Sequence, residues 1–159
     1  MRNPYPGVRQ VLESQFLPDE AATIAAAQAL APHLGVGDVL LLSGPLGAGK
    51  STFARSLIRT LPAADGTLRV EETVPSPSYT LVQTYERALG PVGHFDLYRL
   101  STPEEVWDLG FEDFLEQGLA VIEWAERLGP LTPPRALTLT FSDQGTGRYL
   151  CVRDTRTRS

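Results

Sequence analysis

Two short stretches of the chain are apolar without interruption, Val39-Leu40-Leu41-Leu42 and Leu119-Ala120-Val121-Ile122. A strand with one wet face alternates apolar and polar residues, so unbroken runs of this length fit strands covered on both faces. Between them the period changes. From Lys50 to Leu61 the residues Phe53, Leu57, Ile58 and Leu61 share one face of a helix. The alanine-rich stretch from Ala21 to Leu34 also reads as helix, entered through Leu17-Pro18-Asp19-Glu20 and closed at Gly35. Asp65 to Pro77 is rich in Gly, Pro and Glu and reads as an exposed loop. Tyr79 to Tyr85 alternates as a strand does, and Val92 to Asp96 is a further strand. Thr102-Pro103-Glu104-Glu105 has the capping-box pattern with proline at the first helical position, so a helix is expected to start there. Ala136 to Phe141 alternates with threonine, and Tyr149 to Val152 follows a Gly145-Thr146-Gly147 turn, which predicts a terminal antiparallel hairpin.

Interspersed helices and strands place the chain in the α/β class, and the hairpin makes the sheet mixed. The 159 residues are expected to form a single domain, with the last few as a solvated tail. Hydrophobic residues make up 42% and charged residues 21%, an ordinary globular composition. No apolar run approaches the ~20 residues that span a bilayer. The opening Met1-Arg2-Asn3-Pro4-Tyr5-Pro6 lacks the apolar centre of a signal peptide, so a cytoplasmic location is expected. One cysteine, Cys151, excludes an internal disulfide and a cysteine-rich metal site. The net charge of −5 is a poor basis for binding nucleic acid through its phosphates, so any contact with RNA is expected to be indirect. Arg153, Arg156 and Arg158 form a basic patch near the end, read as part of the solvated tail rather than an RNA-binding arm.

Of the 14 basic residues Lys50 is the only lysine. An ammonium is compact on a thin stem and a guanidinium is a broad planar fork, so position 50 is expected to exclude the fork. It lies in Gly44-Pro45-Leu46-Gly47-Ala48-Gly49-Lys50-Ser51, which satisfies G-x-x-x-x-G-K-[ST] between a buried strand and an amphipathic helix. Each part has a physical task. Glycines let the backbone curl until successive N–H groups point at phosphate oxygens, and the helix N-terminus adds its positive dipole end. The lysine reaches the β- and γ-phosphates, and the serine hydroxyl ligates Mg²⁺. The segment Leu46, Gly47, Ala48, Gly49, Lys50 and Ser51 is therefore the expected phosphate cradle, with Thr52 near the α-phosphate.

Such a loop needs a carboxylate for the metal, commonly at the end of a neighbouring apolar strand. Glu123 and Asp96 both stand at strand ends. His94, two residues before Asp96, projects to the same strand face and reads as buried polar packing. On spacing alone, Ser76-Pro77-Ser78-Tyr79-Thr80 is an ordinary Ser-Pro turn.

Taken together, these residues resemble the bacterial tRNA threonylcarbamoyladenosine biosynthesis ATPase family, TsaE. The resemblance runs from about Leu17 to Arg127. It rests on Pro18-Asp19-Glu20, Gly47-Ala48-Gly49-Lys50-Ser51-Thr52-Phe53, Ser76-Pro77-Ser78-Tyr79-Thr80-Leu81-Val82, His94-Phe95-Asp96-Leu97-Tyr98-Arg99-Leu100 and Val121-Ile122-Glu123-Trp124. The phosphate loop is common to many NTPases; the last three strings in this order are far more specific. The resemblance implies a P-loop NTPase-like three-layer sandwich. It also implies an ATP- and Mg²⁺-dependent ATPase that binds the subunits making threonylcarbamoyladenosine in tRNA and lets their complex turn over. Carried over, Lys50 would hold phosphate, Ser51 and Glu123 would ligate Mg²⁺, and Asp96 would sit in a second switch, orienting metal or attacking water. Ser76 to Thr80 would be the first switch, Trp124 would lie beside the nucleotide and Glu20 near the adenine. Pro45, Ser51 and Ser78 depart from the family's usual residues, and the two serines keep the hydroxyl.

The expected reaction is attack of water on the γ-phosphate, helped by positioning and charge stabilisation from the loop N–H groups, Lys50 and the metal. Asp96 or Glu123 would orient the water. No arginine finger is assignable; Arg99 is a candidate, and a surface ion pair fits it equally. Two rivals remain, a small-molecule kinase and an assembly factor in which nucleotide binding rather than hydrolysis matters.

Overall fold

A computed structural model describes residues 12–45, 47, 49–68 and 72–156. The first six residues, Leu46, Ala48 and Arg158, all read above, lie outside the described residues. In chain order the elements are β1 (Gln15–Leu17), α1 (Glu20–Leu30), β2 (Val39–Ser43), α2 (Lys50–Thr60), β3 (Val82–Arg87), β4 (Gly90–Asp96), α3 (Phe111–Gln117), β5 (Leu119–Glu123), β6 (Leu137–Gln144) and β7 (Gly147–Asp154). Short 3₁₀ segments cover Ala31–His33, Pro103–Leu109 and Ala125–Leu131.

The strands form one seven-stranded mixed sheet in the order β1-β7-β6-β2-β5-β4-β3. β6, β2, β5 and β4 run parallel at its centre, and β7, β1 and β3 pair antiparallel at the sides. The unbroken apolar runs are the two central strands, and their side chains divide by parity. Leu40, Leu42 and Val121 pack toward Leu30 of α1 and Phe53 and Leu57 of α2. Val39, Leu41 and Ile122 pack toward Phe111 and Phe114 of α3 and Leu128. Because strand side chains alternate, a run can be wholly apolar only where both faces are covered. Leu40 and Leu42 have no exposed surface, and each contributes about 1.5–3 kcal/mol by its burial.

Local differences from the sequence reading have local causes. α1 ends at Leu30 and tightens into a 3₁₀ turn rather than running to Leu34. Pro32 has no N–H to give the i−4 carbonyl, and its ring crowds that carbonyl. α1 is entered at the expected place, but Pro18 and Asp19 precede the first turn, and Asp19 caps it, its carboxylate accepting from Ala22 N–H at 2.8 Å. The segment opened by Thr102 is a 3₁₀ helix without a side-chain cap, and the α-helix starts only after Gly110, at φ 79°. Only Val106 of that 3₁₀ segment is buried, too little apolar face to hold a longer helix. β3 begins at Val82, not Tyr79, because Leu81 takes a left-handed φ of 68° and breaks the extended run. Arg156 does not belong to a solvated tail. It is buried, its fork holds both carboxylate oxygens of Asp154 at 2.8 and 2.9 Å, and it reaches Asp38 at 3.0 Å.

The turn after β2 is sterically committed. Gly44 has φ +137°, and a Cβ there would sit 2.4 Å from the backbone carbonyl oxygen of Phe141 on β6. Gly44→Ala is expected to destabilise the fold by about 2–4 kcal/mol through overlap and backbone strain, read as a lower urea midpoint.

Candidate functional site

β2, β5 and β4 end side by side, with Leu42 opposite Glu123 and Asp96 opposite Glu123 in register. The chain leaves β2 through a glycine-rich turn and enters α2 directly, so the helix N-terminus faces the carboxyl ends of the strands, where open parallel sheets bind ligands. Gly44, Gly47 and Gly49 all have positive φ, which β-carbon-bearing residues resist. Gly49 begins α2 with no side chain capping it, so its first N–H groups stay available to an anion.

A cavity of about 500 Å³ opens at this end of the sheet. Glu20, Gly47, Gly49, Lys50, Ser51, Thr52, Asp96, Glu123 and Trp124, scattered over more than a hundred residues of sequence, all line it. Leu46 and Ala48 lie outside the described residues.

Its polar lining is joined by hydrogen bonds. Ser51 Oγ donates to Glu123 Oε1 at 2.6 Å, while Glu123 Oε2 meets His94 Nε2 at 2.6 Å. Asp96 Oδ2 accepts from Ser78 Oγ at 3.0 Å, and its Oδ1 accepts from the Tyr98 N–H at 3.0 Å. Ser78 Oγ in turn lies 2.9 Å from Ser76 Oγ. The polar Ser-Pro segment is therefore tied to the end of β4 by hydroxyl-to-carboxylate contact. Lys50 Nζ donates to the carbonyls of Gly44 and Pro45 and lies 4.0 Å from the Trp124 ring centroid. Trp124 also packs on Tyr98, with ring centroids 4.8 Å apart.

Burial sets the charges. It pushes the Lys50 ammonium below its usual value, against the raising fields of Glu126, Glu123 and Asp96. Burial also pushes the Glu123 carboxyl upward. The hydrogen bond and charge of His94, the Ser51 hydroxyl and the Lys50 charge together outweigh it and hold Glu123 below the ordinary carboxylate value. Glu123 is thus an anion placed against a hydroxyl and near an ammonium.

The donor set suits Mg²⁺ and a nucleotide. Ser51 and Glu123 offer adjacent oxygens, the ligand type a hard cation takes. Among the described residues no cluster of three or more His, Cys, Asp or Glu side chains makes a protein-only metal cage. Mg²⁺ in phosphate sites needs none, taking one or two protein oxygens together with substrate phosphate. The cavity volume lies within the ~300–1,000 Å³ usual for small-molecule sites.

A family model described as "Threonylcarbamoyl adenosine biosynthesis protein TsaE" matches residues 17–150. The chain belongs to the TsaE family. Every described lining residue of the cavity, from Leu17 to Arg148, falls inside that match. Among TsaE relatives, the tRNA threonylcarbamoyladenosine biosynthesis protein of Rickettsia conorii is 36% identical over 85% of this chain and 74% of its own. That of a Nostoc species is 36% identical over 82% of this chain and 79% of its own. A crystal structure of Bacillus subtilis YdiB is 26% identical, with a TM-score of 0.66, over 89% of this chain and 84% of that one.

Several lining residues escaped the sequence reading. Thr23 and Arg55 approach from the helices, and Thr146, Gly147 and Arg148 come from the β6–β7 turn. The Arg148 guanidinium donates to the Gly47 carbonyl at 2.8 and 3.2 Å, tying the terminal hairpin to the glycine-rich turn. Gly145-Thr146-Gly147 announces a hairpin but not where its tip lands, which the sheet order decides by placing β6 beside β2. Among the described residues Arg99 has no ion-pair partner; it stacks 4.5 Å from the centroid of the exposed Tyr79 ring. Trp124 and Leu81 are the two non-glycine residues with positive φ among the described residues, one beside Glu123 and the other after the Ser-Pro segment. Such backbone strain concentrates at functional sites and carries no composition signal.

Proposed function

We propose that this chain is a Mg²⁺-dependent ATPase that assists threonylcarbamoyladenosine modification of tRNA by binding the modifying complex and resetting it between rounds. The observation that carries the reading is the Ser51–Glu123 contact of 2.6 Å at the mouth of the glycine-rich turn, with Lys50 beside it. In this reading Lys50 leaves the Gly44 and Pro45 carbonyls for the β- and γ-phosphates, where a cation gains more than against neutral carbonyls. The uncapped N–H groups of α2 hold the phosphate tail. Ser51 and Glu123 would hold Mg²⁺, which supplies neutralisation of phosphate charge when bound. Asp96, two hydrogen bonds from Ser76, would couple the Ser-Pro segment to the reacting end and orient the attacking water. Glu20 would lie near the adenine. The Arg148 guanidinium, the arginine that reaches the glycine-rich turn among the described residues, is spent on the Gly47 carbonyl, so the free protein should hydrolyse ATP slowly. The acidic net charge makes contact with tRNA indirect, through the complex.

The test is inorganic phosphate release from ATP with and without the tRNA-modifying subunits. A rise on adding the subunits, absent for Lys50→Ala, is expected. An unchanged rate rejects the coupling, and a phosphorylated acceptor in place of free phosphate favours a kinase. Tryptophan emission gives an independent check. ATP should draw the Lys50 ammonium from the Trp124 ring and change its emission. The change should persist in Trp107→Phe and vanish in Trp124→Phe.

A further inference from the structure

His94 lies in the middle of β4, with no exposed surface. Its strand neighbour on β5 is Val121, and Glu123 is two residues further on, so both side chains stand on the face that carries α1 and α2. Diagonal neighbours at this spacing are within reach of long side chains. The Nε2 to Oε2 distance is 2.6 Å, and two lone pairs do not approach that closely without a proton between them. Nδ1 has no hydrogen-bond partner among the described residues. The imidazole proton therefore belongs on Nε2, where the carboxylate accepts it.

Glu123 has two oxygens and two different tasks. Oε1 faces Ser51, the side on which the metal would be held, and Oε2 is turned inward to His94. A glutamate has three rotatable bonds, so without an inward anchor the carboxylate is free to turn or to offer both oxygens to one partner. A histidine serving only as core packing would be expected to bond a backbone carbonyl, whereas this one spends its donor on the carboxylate. We infer that His94 is a positioning residue, fixing Glu123 through Oε2 so that Oε1 is presented to Mg²⁺ beside Ser51. The inference rests on the reading of Glu123 as the metal-holding carboxylate.

The test uses the full chain with ADP, which binds without turnover, and titrates Mg²⁺ into the complex by calorimetry. For His94→Phe, which keeps the ring and removes the donor, the Mg²⁺ midpoint should rise roughly 10–100-fold, while ADP affinity without metal stays as in the wild type. His94→Gln, whose amide can donate to Oε2, should recover most of the loss. An unchanged midpoint in His94→Phe overturns the inference, as does a His94→Gln midpoint as poor as that of His94→Phe. If wild type binds no ADP, or binds it without regard to Mg²⁺, the functional reading fails instead. Should either variant not fold, the ¹⁵N spectrum of the wild-type imidazole decides. A proton on Nε2 that shifts when Mg²⁺ joins the ADP complex supports the assignment. A proton on Nδ1, or a resonance indifferent to Mg²⁺, overturns it.

Discussion

Lys50→Ala is expected to lower ATP hydrolysis by roughly 10²–10³-fold, the usual cost of removing one preorganised donor from a reacting oxyanion. ATP affinity should fall by roughly tenfold or more, since a charge-assisted hydrogen bond contributes about 1.5–3 kcal/mol. The fold should barely notice. The ammonium is held by two carbonyls of its own turn, and the Glu123 anion that loses its field keeps its hydrogen bonds to Ser51 and His94. A shift of about 1 kcal/mol in unfolding free energy is therefore expected. Lys50→Arg should not restore hydrolysis. The space between the Gly44 and Pro45 carbonyls and the Trp124 ring takes a compact ammonium on a thin stem. A planar fork would press on the ring or on the turn, whose Gly44 already stands against Phe141. Phosphate release measured beside the urea midpoint checks all of this. An active Lys50→Ala, or a rescued Lys50→Arg, would remove the lysine from the mechanism.

That expectation could be framed from the sequence because the glycine-rich turn is a local device. Its glycines, lysine and serine are consecutive, and the apolar runs on either side report strands whose both faces are covered. What the chain does not display is which distant residues arrive at the same place. Arg148 meets the Gly47 carbonyl across about a hundred residues, only because β6 pairs with β2 and β7 with β6. His94 was legible as buried and polar, and its partner was not, since the Val121 register on β5 determines it. β1 escaped for another reason: three residues pairing only with β7 at the sheet edge are too few to show a period. The 3₁₀ segment from Pro103 shares its start signals with an α-helix, so proline and acids mark where it begins but not how tightly it winds. The left-handed Leu81 and Trp124 have no signal at all, because nothing in a leucine or a tryptophan announces positive φ.

Glu123→Gln should separate the two roles of a bound nucleotide. The substitution preserves shape and both contacts: the amide oxygen can accept from His94 Nε2, and the amide nitrogen can donate to Ser51 Oγ, so the fold and the loop should persist. It removes the one anion set between Ser51 and Lys50. Hydrolysis should fall by roughly 10²-fold or more, because a metal held on a hydroxyl alone neutralises developing phosphate charge poorly and no longer sits in fixed geometry. ATP should still bind through Lys50 and the N–H groups of α2, with the Trp124 emission change retained. Added to the tRNA-modifying subunits, this variant should support a single round of modification and then stall, since binding remains and resetting does not. Counting modified tRNA per complex reads the outcome. One equivalent means that hydrolysis resets the assembly. Many equivalents at the wild-type rate mean that nucleotide binding suffices and that the Ser51–Glu123 pair serves as a clamp rather than as part of a cycle.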